Sequence, residues 1–187
     1  RRTDQSIPPL LARHPFPEEW SILLIQPPRQ GLHGAAERHA FAELPSVPER
    51  VTERLCHLVL LQLLPGLIEC DLQSFGQALG ELQRRVGECF SKVQGGLFAS
   101  TLASEIVEEL GRLSLHGAGQ SSWGPTLYGF TEADEPERDR IVQHLRGRFR
   151  LPVKSFSWTR AANRGALISR VSDETQWNDF SADSSSS

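Results

Sequence analysis

The chain has 187 residues, and its 39% of apolar side chains, taken with 15 glycines, fall within the roughly 45–50% of ordinary globular domains. A balance of 20 Lys+Arg against 23 Asp+Glu leaves a net charge of −3, without the basic excess of a general nucleic-acid binder. Cys56, Cys70 and Cys89 form no Cys-x-x-Cys pair, which argues against a disulfide framework or zinc site and fits a reducing, cytoplasmic compartment.

The longest apolar stretch, residues 58–64, is interrupted by Gln62 and closed by Pro65, far short of the ~20 residues of a membrane span. No apolar signal core follows Arg1-Arg2-Thr3-Asp4-Gln5. A sequence without any methionine reads as the back part of a longer protein, or as a processed one, and is expected to carry only part of an active site.

Residues 1–19, with Pro8, Pro9, Pro15 and Pro17, predict an irregular lead-in. The apolar run 20–26, stopped by Pro27-Pro28, predicts a buried strand. A turn at 31–34 and a short helix over 35–44 follow. Ser46 and Glu49 fit a capping box, with Pro48 in the first turn, for a helix running to Pro65-Gly66. Asp71 is placed to cap the next helix, over 71–90, where Leu72, Phe75, Leu79, Leu82, Val86 and Phe90 recur in steps of three and four. A fourth helix is expected over 101–110.

Residues 113–116 read as a short strand, 117–125 as a small polar loop, and 126–131 as an alternating strand. Asp134 and Glu137 make a second capping pair before a helix stopped by Pro152. Strand segments are expected at 153–159 and 166–171, around a turn or bulge at 160–165. The polar sequence from Ser172 predicts a disordered tail. This order gives an α+β class, an antiparallel sheet with helices packed on one face.

The segment most able to carry chemistry is His116-Gly117-Ala118-Gly119-Gln120-Ser121-Ser122-Trp123-Gly124-Pro125-Thr126. Gly117, Gly119 and Gly124 permit positive φ and close approach to a ligand, successive backbone N–H groups can form an anion nest, and Gln120, Ser121, Ser122 and Thr126 add neutral donors. A tight connection between two strands is the plain alternative. The spacing matches neither a dinucleotide loop nor a P-loop. In Gln94-Gly95-Gly96 the glycines read either as a helix C-cap or as backbone touching a substrate. Arg164, with Arg160, can grip an oxyanion or stand solvated. The six histidines show no metal-ligand spacing, and no nucleophile–base pair or general acid is assignable.

The run from Gly117 through Gln120-Ser121-Ser122-Trp123-Gly124-Pro125-Thr126 to Gly129 resembles the third motif of the β-ribofuranosylaminobenzene 5′-phosphate synthases, in the GHMP kinase superfamily. Further pieces agree in order. They include Arg13-His14-Pro15-Phe16-Pro17-Glu18-Glu19-Trp20, Gly31-Leu32-His33-Gly34-Ala35-Ala36-Glu37, Asp71-Leu72-Gln73-Ser74-Phe75-Gly76 and Asn163-Arg164-Gly165-Ala166. The resemblance implies the ferredoxin-like C-terminal GHMP domain over 20–171, a lead-in at 1–19 from an N-terminal domain, and a polar tail at 172–187. The superfamily's N-terminal phosphate loop has no counterpart in this sequence, so the isolated chain is expected to be inactive.

The implied reaction of the intact enzyme joins phosphoribosyl pyrophosphate to 4-aminobenzoate or 4-hydroxybenzoate with loss of CO₂ and pyrophosphate, on the way to methanopterin. Mg²⁺ is the implied cofactor. The implied partners are the small substrates and the chain's own N-terminal domain, with a homodimer left open and neither nucleic acid nor membrane expected. The glycine-containing loop, with Trp123 against the aromatic ring or as core filler, and Gln94, Gly95, Gly96 and Arg164 along the cleft, form the expected site. An ATP-dependent GHMP kinase and a non-catalytic partner-binding remnant stand as alternatives.

Overall fold

The computed structural model describes residues 9–28 and 34–165. The strand expected at 166–171, the tail from Ser172 and most of the 31–34 turn lie outside the described residues. The elements are β1 (Ser21–Ile25), α1 (Gly34–Glu43), α2 (Glu49–Leu58), α3 (Leu64–Ile68), α4 (Leu72–Gln94), α5 (Thr101–Arg112), β2 (His116–Gln120), β3 (Leu127–Thr131), α6 (Glu135–Phe149) and β4 (Phe156–Thr159). The four strands make one antiparallel sheet in the order β2-β3-β1-β4, the split arrangement expected of a ferredoxin-like unit.

Strand pairing sorts the side chains between two faces. Leu23 and Ile25 of β1 share a face with Leu127 of β3, and there Ile106 and Leu110 of α5 and Ile141 and Leu145 of α6 close over them. On the opposite face Ile22, Tyr128 and Phe130 meet Leu72, Phe75 and Leu79 of α4, with Phe16 and Trp20 from the lead-in. The two crossover helices α5 and α6 cover one face as expected, and α4 adds a second cover on the other.

Helix starts obey local chemistry. Asp71 accepts from the Ser74 N–H at 2.9 Å, Ser100 from Ala103 at 3.1 Å, and Asp134 from Glu137 at 2.9 Å, each satisfying a first-turn donor. The Ser46 capping box does not form. Pro48 is the N-cap of α2, extended at φ −58° and ψ 141°, and no side chain caps that end. The residue before a proline is disfavoured in helical conformation, so Val47 cannot be a first helical residue after a Ser46 cap.

Pro65 does not stop the helix as expected. The backbone widens to a π-helical turn over Val59–Leu63 and continues through α3 to Ile68. A proline needs no i−4 acceptor but crowds that carbonyl, and a wider turn immediately before it relieves the conflict. The continuous helical run Glu49–Ile68 is, by length and mean hydropathy (1.4), apolar enough to cross a bilayer. Here it lies against α4, with Leu58 fully buried and Arg54 held by Glu81 of α4 at 3.0 Å, while Leu60 and Leu61 face outward.

Two other sequence readings shift. Residues 113–116 are not a strand: Leu113 closes α5, Ser114 turns with φ 58°, and β2 begins only at His116. Gly117 and Gly119 therefore lie in a strand, not in a loop. At the far end, Val153–Ser155 is a 3-10 turn, and β4 starts at Phe156.

The glycines of β2 and α4 serve contact between elements. A Cβ on Gly76 would sit 2.5 Å from the His116 Cβ and 2.8 Å from the Gly117 backbone nitrogen. Gly117 has φ 58°, and its own Cβ would press on Leu79. Gly76→Ala should cost about 1–3 kcal/mol through overpacking. Gly80→Ala on the same helix, where a Cβ meets nothing within 4 Å, should gain about 0.5–1 kcal/mol. Urea midpoints of the two variants check the contrast.

A second expectation concerns Glu109, buried where α5 faces α6. It accepts from His144 at 2.6 Å and Arg112 at 3.0 Å, with Arg148 at 3.4 Å. The His144 hydrogen bond above all, then those of its arginine neighbours, holds its carboxyl below the usual range against the opposing effect of burial. A depressed carboxyl stabilises the fold above its unfolded pKa, and that stability is lost as pH falls through the folded value. Glu109→Gln should therefore lower the urea midpoint at neutral pH and flatten the decline below about pH 4.5.

Candidate functional site

The turn joining β2 to β3 is closed by its own polar groups. The Ser121 N–H donates to the Thr126 carbonyl at 2.9 Å, and the Gly124 N–H to the Ser121 carbonyl at 2.9 Å. Ser122 (φ 51°) and Gly124 (φ 72°) take the left-handed conformations this closure requires. Gln120, only 5% exposed, accepts from the Ala99 N–H at 2.8 Å and donates to the Ser122 carbonyl at 2.9 Å. Its amide ties the turn to the 95–100 loop after α4, where the sequence reading has it among the donors offered to a ligand. Gly124 packs on that same amide.

The paired glycines after α4 follow their plainer reading. Gly95 is the left-handed C-cap (φ 83°), its N–H on the Ser91 carbonyl at 2.9 Å. Gln94 folds back to donate to the carbonyls of Gly96 at 2.9 Å and Leu97 at 2.8 Å. Trp123 is 4% exposed, edge-on to Phe90 at 5.0 Å and to Phe41 at 5.5 Å between centroids.

These pieces meet around one cleft of ≈ 120 Å³. Phe41 of α1, Gln83, Val86, Gly87, Phe90 and Gln94 of α4, Leu97 and Phe98 of the following loop, and Gln120, Ser122 and Trp123 of the hairpin line it. Of the expected site residues it unites Gln94, Gln120, Ser122 and Trp123. Ser121 is exposed on the turn and Thr126 half-buried at its far side, whereas Gly117 and Gly119 pack against α4.

Arg164 does not join them. The hairpin turn adjoins Leu127, which pairs with Ile25, whereas the 160–165 segment leaves β4 after Thr159, which pairs with Ile22. Three steps along β1 at ~3.4 Å each, from Ile25 to Ile22, put these ends about 10 Å apart along the strands. Arg164 instead lines a separate open hollow of ≈ 470 Å³ with Arg13, His14 and Asn163. There the Asn163 amide clasps the Phe16 N–H at 2.8 Å and its carbonyl at 2.9 Å, anchoring the lead-in.

Sequence reading missed Gln83, Phe41, Val86 and Gly87 as cleft residues. The available signal was on α4, where Gln83, Gly87, Phe90 and Gln94 fall at helical spacing on one side, a face whose amides and glycine mix badly with a pure core stripe. Among the described residues, no charged side chain lines the cleft, and no group of three His, Cys, Asp or Glu is arranged to hold a metal ion. Tyr128 lies under the hairpin with its phenol pushed up to about 12 by burial, so it stays protonated and is no base at neutral pH.

Gln120→Leu should cost about 1–3 kcal/mol by stranding the Ala99 N–H and the Ser122 carbonyl. Amide exchange at Ala99 should accelerate more than at the β1–β3 ladder, which hydrogen-exchange NMR would read.

No family model matches the chain. It is 32% identical over 164 residues to β-ribofuranosylphenol 5′-phosphate synthase of Methanothermobacter thermautotrophicus, covering 87% of this chain and 47% of the relative. The same-named protein of Archaeoglobus fulgidus is 30% identical over 167 residues, covering 86% and 48%. That of Methanocaldococcus jannaschii is 35% identical over 122 residues, covering 65% and 35%. Homoserine kinase from Cytophaga hutchinsonii, a GHMP kinase, superposes with a TM-score of 0.53 at 15% identity, over 79% of this chain and 42% of its own, which bears on the fold alone. The chain spans about half the length of the curated relatives it matches. With a GHMP-type fold and this shared sequence, the chain belongs to the β-ribofuranosylphenol 5′-phosphate synthase family, as its C-terminal part.

Proposed function

We propose that this chain is the C-terminal part of a synthase that condenses phosphoribosyl pyrophosphate with a para-substituted benzoate, releasing CO₂ and pyrophosphate in methanopterin biosynthesis. Residues 20–171 serve as its C-terminal domain, with the segment before Trp20 leading from an N-terminal domain that is its principal partner. Because the relatives' product is a phenol, 4-hydroxybenzoate is the acceptor rather than 4-aminobenzoate. The unpaired cysteines among the described residues and a phosphorylated substrate fit a cytoplasmic enzyme.

The observation that carries this reading is the neutral, aromatic-walled cleft built around the hairpin that holds the family's most specific motif. The chemistry suits such walls. The ring carbon bearing the carboxylate bonds to C1 of the ribose, and the C1–oxygen bond to pyrophosphate breaks. The carbon–carboxylate bond then breaks, its electron pair restoring the aromatic ring as CO₂ leaves. No proton is removed from the ring, so the ring's binding site needs no general base. It has only to hold the ring against the sugar carbon. The charge of the departing pyrophosphate falls to donors and Mg²⁺ outside this cleft.

The full-length enzyme, given phosphoribosyl pyrophosphate and 4-hydroxybenzoate, should release CO₂ and pyrophosphate in equal amounts. ATP consumption without pyrophosphate release would replace this reading with a kinase, and no turnover of either kind would leave a partner-binding remnant.

A further inference from the structure

We infer that the hairpin cleft is the seat of the phenol ring, and that Gln83 is the side chain that recognises its hydroxyl. This rests on the synthase reading and assigns to one site of the chain one half of the product. The relatives' product has two parts, a ribose phosphate and a phenol. A phosphate calls for charged or multiple free donors, and the cleft lining offers no cation and a hairpin whose Ser121 and Gly124 N–H groups are already bonded. A phenol ring calls for apolar walls and one polar contact. Phe41, Phe90 and Trp123 stand edge-to-face at 5.0–6.0 Å around the opening, the arrangement that presents ring edges and faces to another aromatic. The volume, ≈ 120 Å³, is on the scale of apolar cavities of about 150 Å³ that take up benzene.

The polar contact follows from hydrogen-bond accounting. Three amides reach the cleft. Gln94 spends both Nε2 hydrogens on the carbonyls of Gly96 and Leu97, and Gln120 is anchored through its oxygen to Ala99 and through its nitrogen to Ser122, so neither amide is free to turn both its groups to a ligand. Gln83 is half-buried, with its aliphatic part over Gly119, and makes no hydrogen bond among the described residues. Gly119 has no side chain, and a Cβ there would lie 2.9 Å from the Gln83 Cγ, so this glycine leaves the room that Gln83 occupies. An amide can both accept from a phenol O–H and donate to its oxygen, so it suits a hydroxyl and discriminates against an unsubstituted ring.

The test uses the full-length enzyme with two substitutions on α4. Gln83→Leu keeps the size and removes the amide. The KM for 4-hydroxybenzoate should rise about tenfold with kcat nearly unchanged, while inhibition by unsubstituted benzoate stays as in the wild type. Val86→Phe fills the cleft from the same helix. It should raise both the KM for 4-hydroxybenzoate and the inhibition constant of benzoate, leaving the KM for phosphoribosyl pyrophosphate alone. Unchanged benzoate kinetics in both variants, or an effect on phosphoribosyl pyrophosphate instead, would overturn the assignment. Failure of the synthase reading is a separate result, visible as absent turnover in the unsubstituted enzyme. Thermal midpoints of both variants identify any loss of fold, and saturation-transfer NMR between 4-hydroxybenzoate and the wild-type aromatic protons gives the ring's location without a variant. Transfer from Phe90 and Trp123 supports the assignment, and transfer confined to other residues sinks it.

Discussion

Helix α4 lies so close to strand β2 that a single methyl group would not fit between Gly76 and His116. Most of the functional architecture depends on this contact. A helix held at that distance carries its second half, from Gln83 to Gln94, across the β2–β3 hairpin, and the space left between them is the cleft. The glycines of β2 permit the approach: Gly117 takes the positive φ and leaves room for Leu79, and Gly119 leaves room for Gln83. Were β2 built of ordinary side chains, α4 could not approach it this closely.

The same contact explains why a glycine-rich run invites misreading. Glycine serves wherever backbone must approach something closely, and the sequence does not say whether that something is a phosphate or a helix. Here Gly117 and Gly119 meet α4, Gly124 meets the Gln120 amide, and Gly95 ends a helix. The anion nest expected of the 117–126 segment is largely consumed by internal bonds from Ser121, Gly124 and Gln120. What the motif specifies is shape. Gln120 reaches from the hairpin to Ala99, and through that bond the two glycine-bearing loops act as one rim.

Legibility in the sequence tracked how local the physics was. Asp71 and Asp134 cap their helices because a side chain three residues from an N–H needs nothing else, and the α4 periodicity is plain because its apolar side chains recur every three or four residues along one face. Ser46 failed as a cap because the restriction imposed by Pro48 on Val47 outranks the capping pattern. Pro65 failed as a stop because the π-helical turn before it absorbed the clash. The start of β2 is not marked in the sequence, since Gly-Ala-Gly has no strand signature of its own, and its irregular strand, with Gly117 at positive φ, comes from pairing with β3 and packing on α4. The aromatic wall was half visible, in Trp123. Gln83 was not visible, because an amide beside an apolar stripe takes its meaning from a hairpin more than thirty residues away. Arg164 looked like part of the same site only until strand register put it at the other end of the sheet.

For the proposed reaction, the distribution of charge implies a division of labour. Electrostatic stabilisation of a leaving pyrophosphate needs cations or a metal, and the cleft at the hairpin has neither among its lining residues. The cationic side chains Arg13 and Arg164 line a separate hollow toward the other end of the strands, about 10 Å away by strand register. In the proposed enzyme that charge comes from a surface outside this cleft, and the chain spans about half the length of the relatives it matches. A neutral wall is also an advantage for the ring itself. In the proposed decarboxylation, a guanidinium beside the benzoate would stabilise the carboxylate in the ground state and oppose its departure as CO₂, whereas apolar walls and a single amide would hold the ring without anchoring the group that must leave.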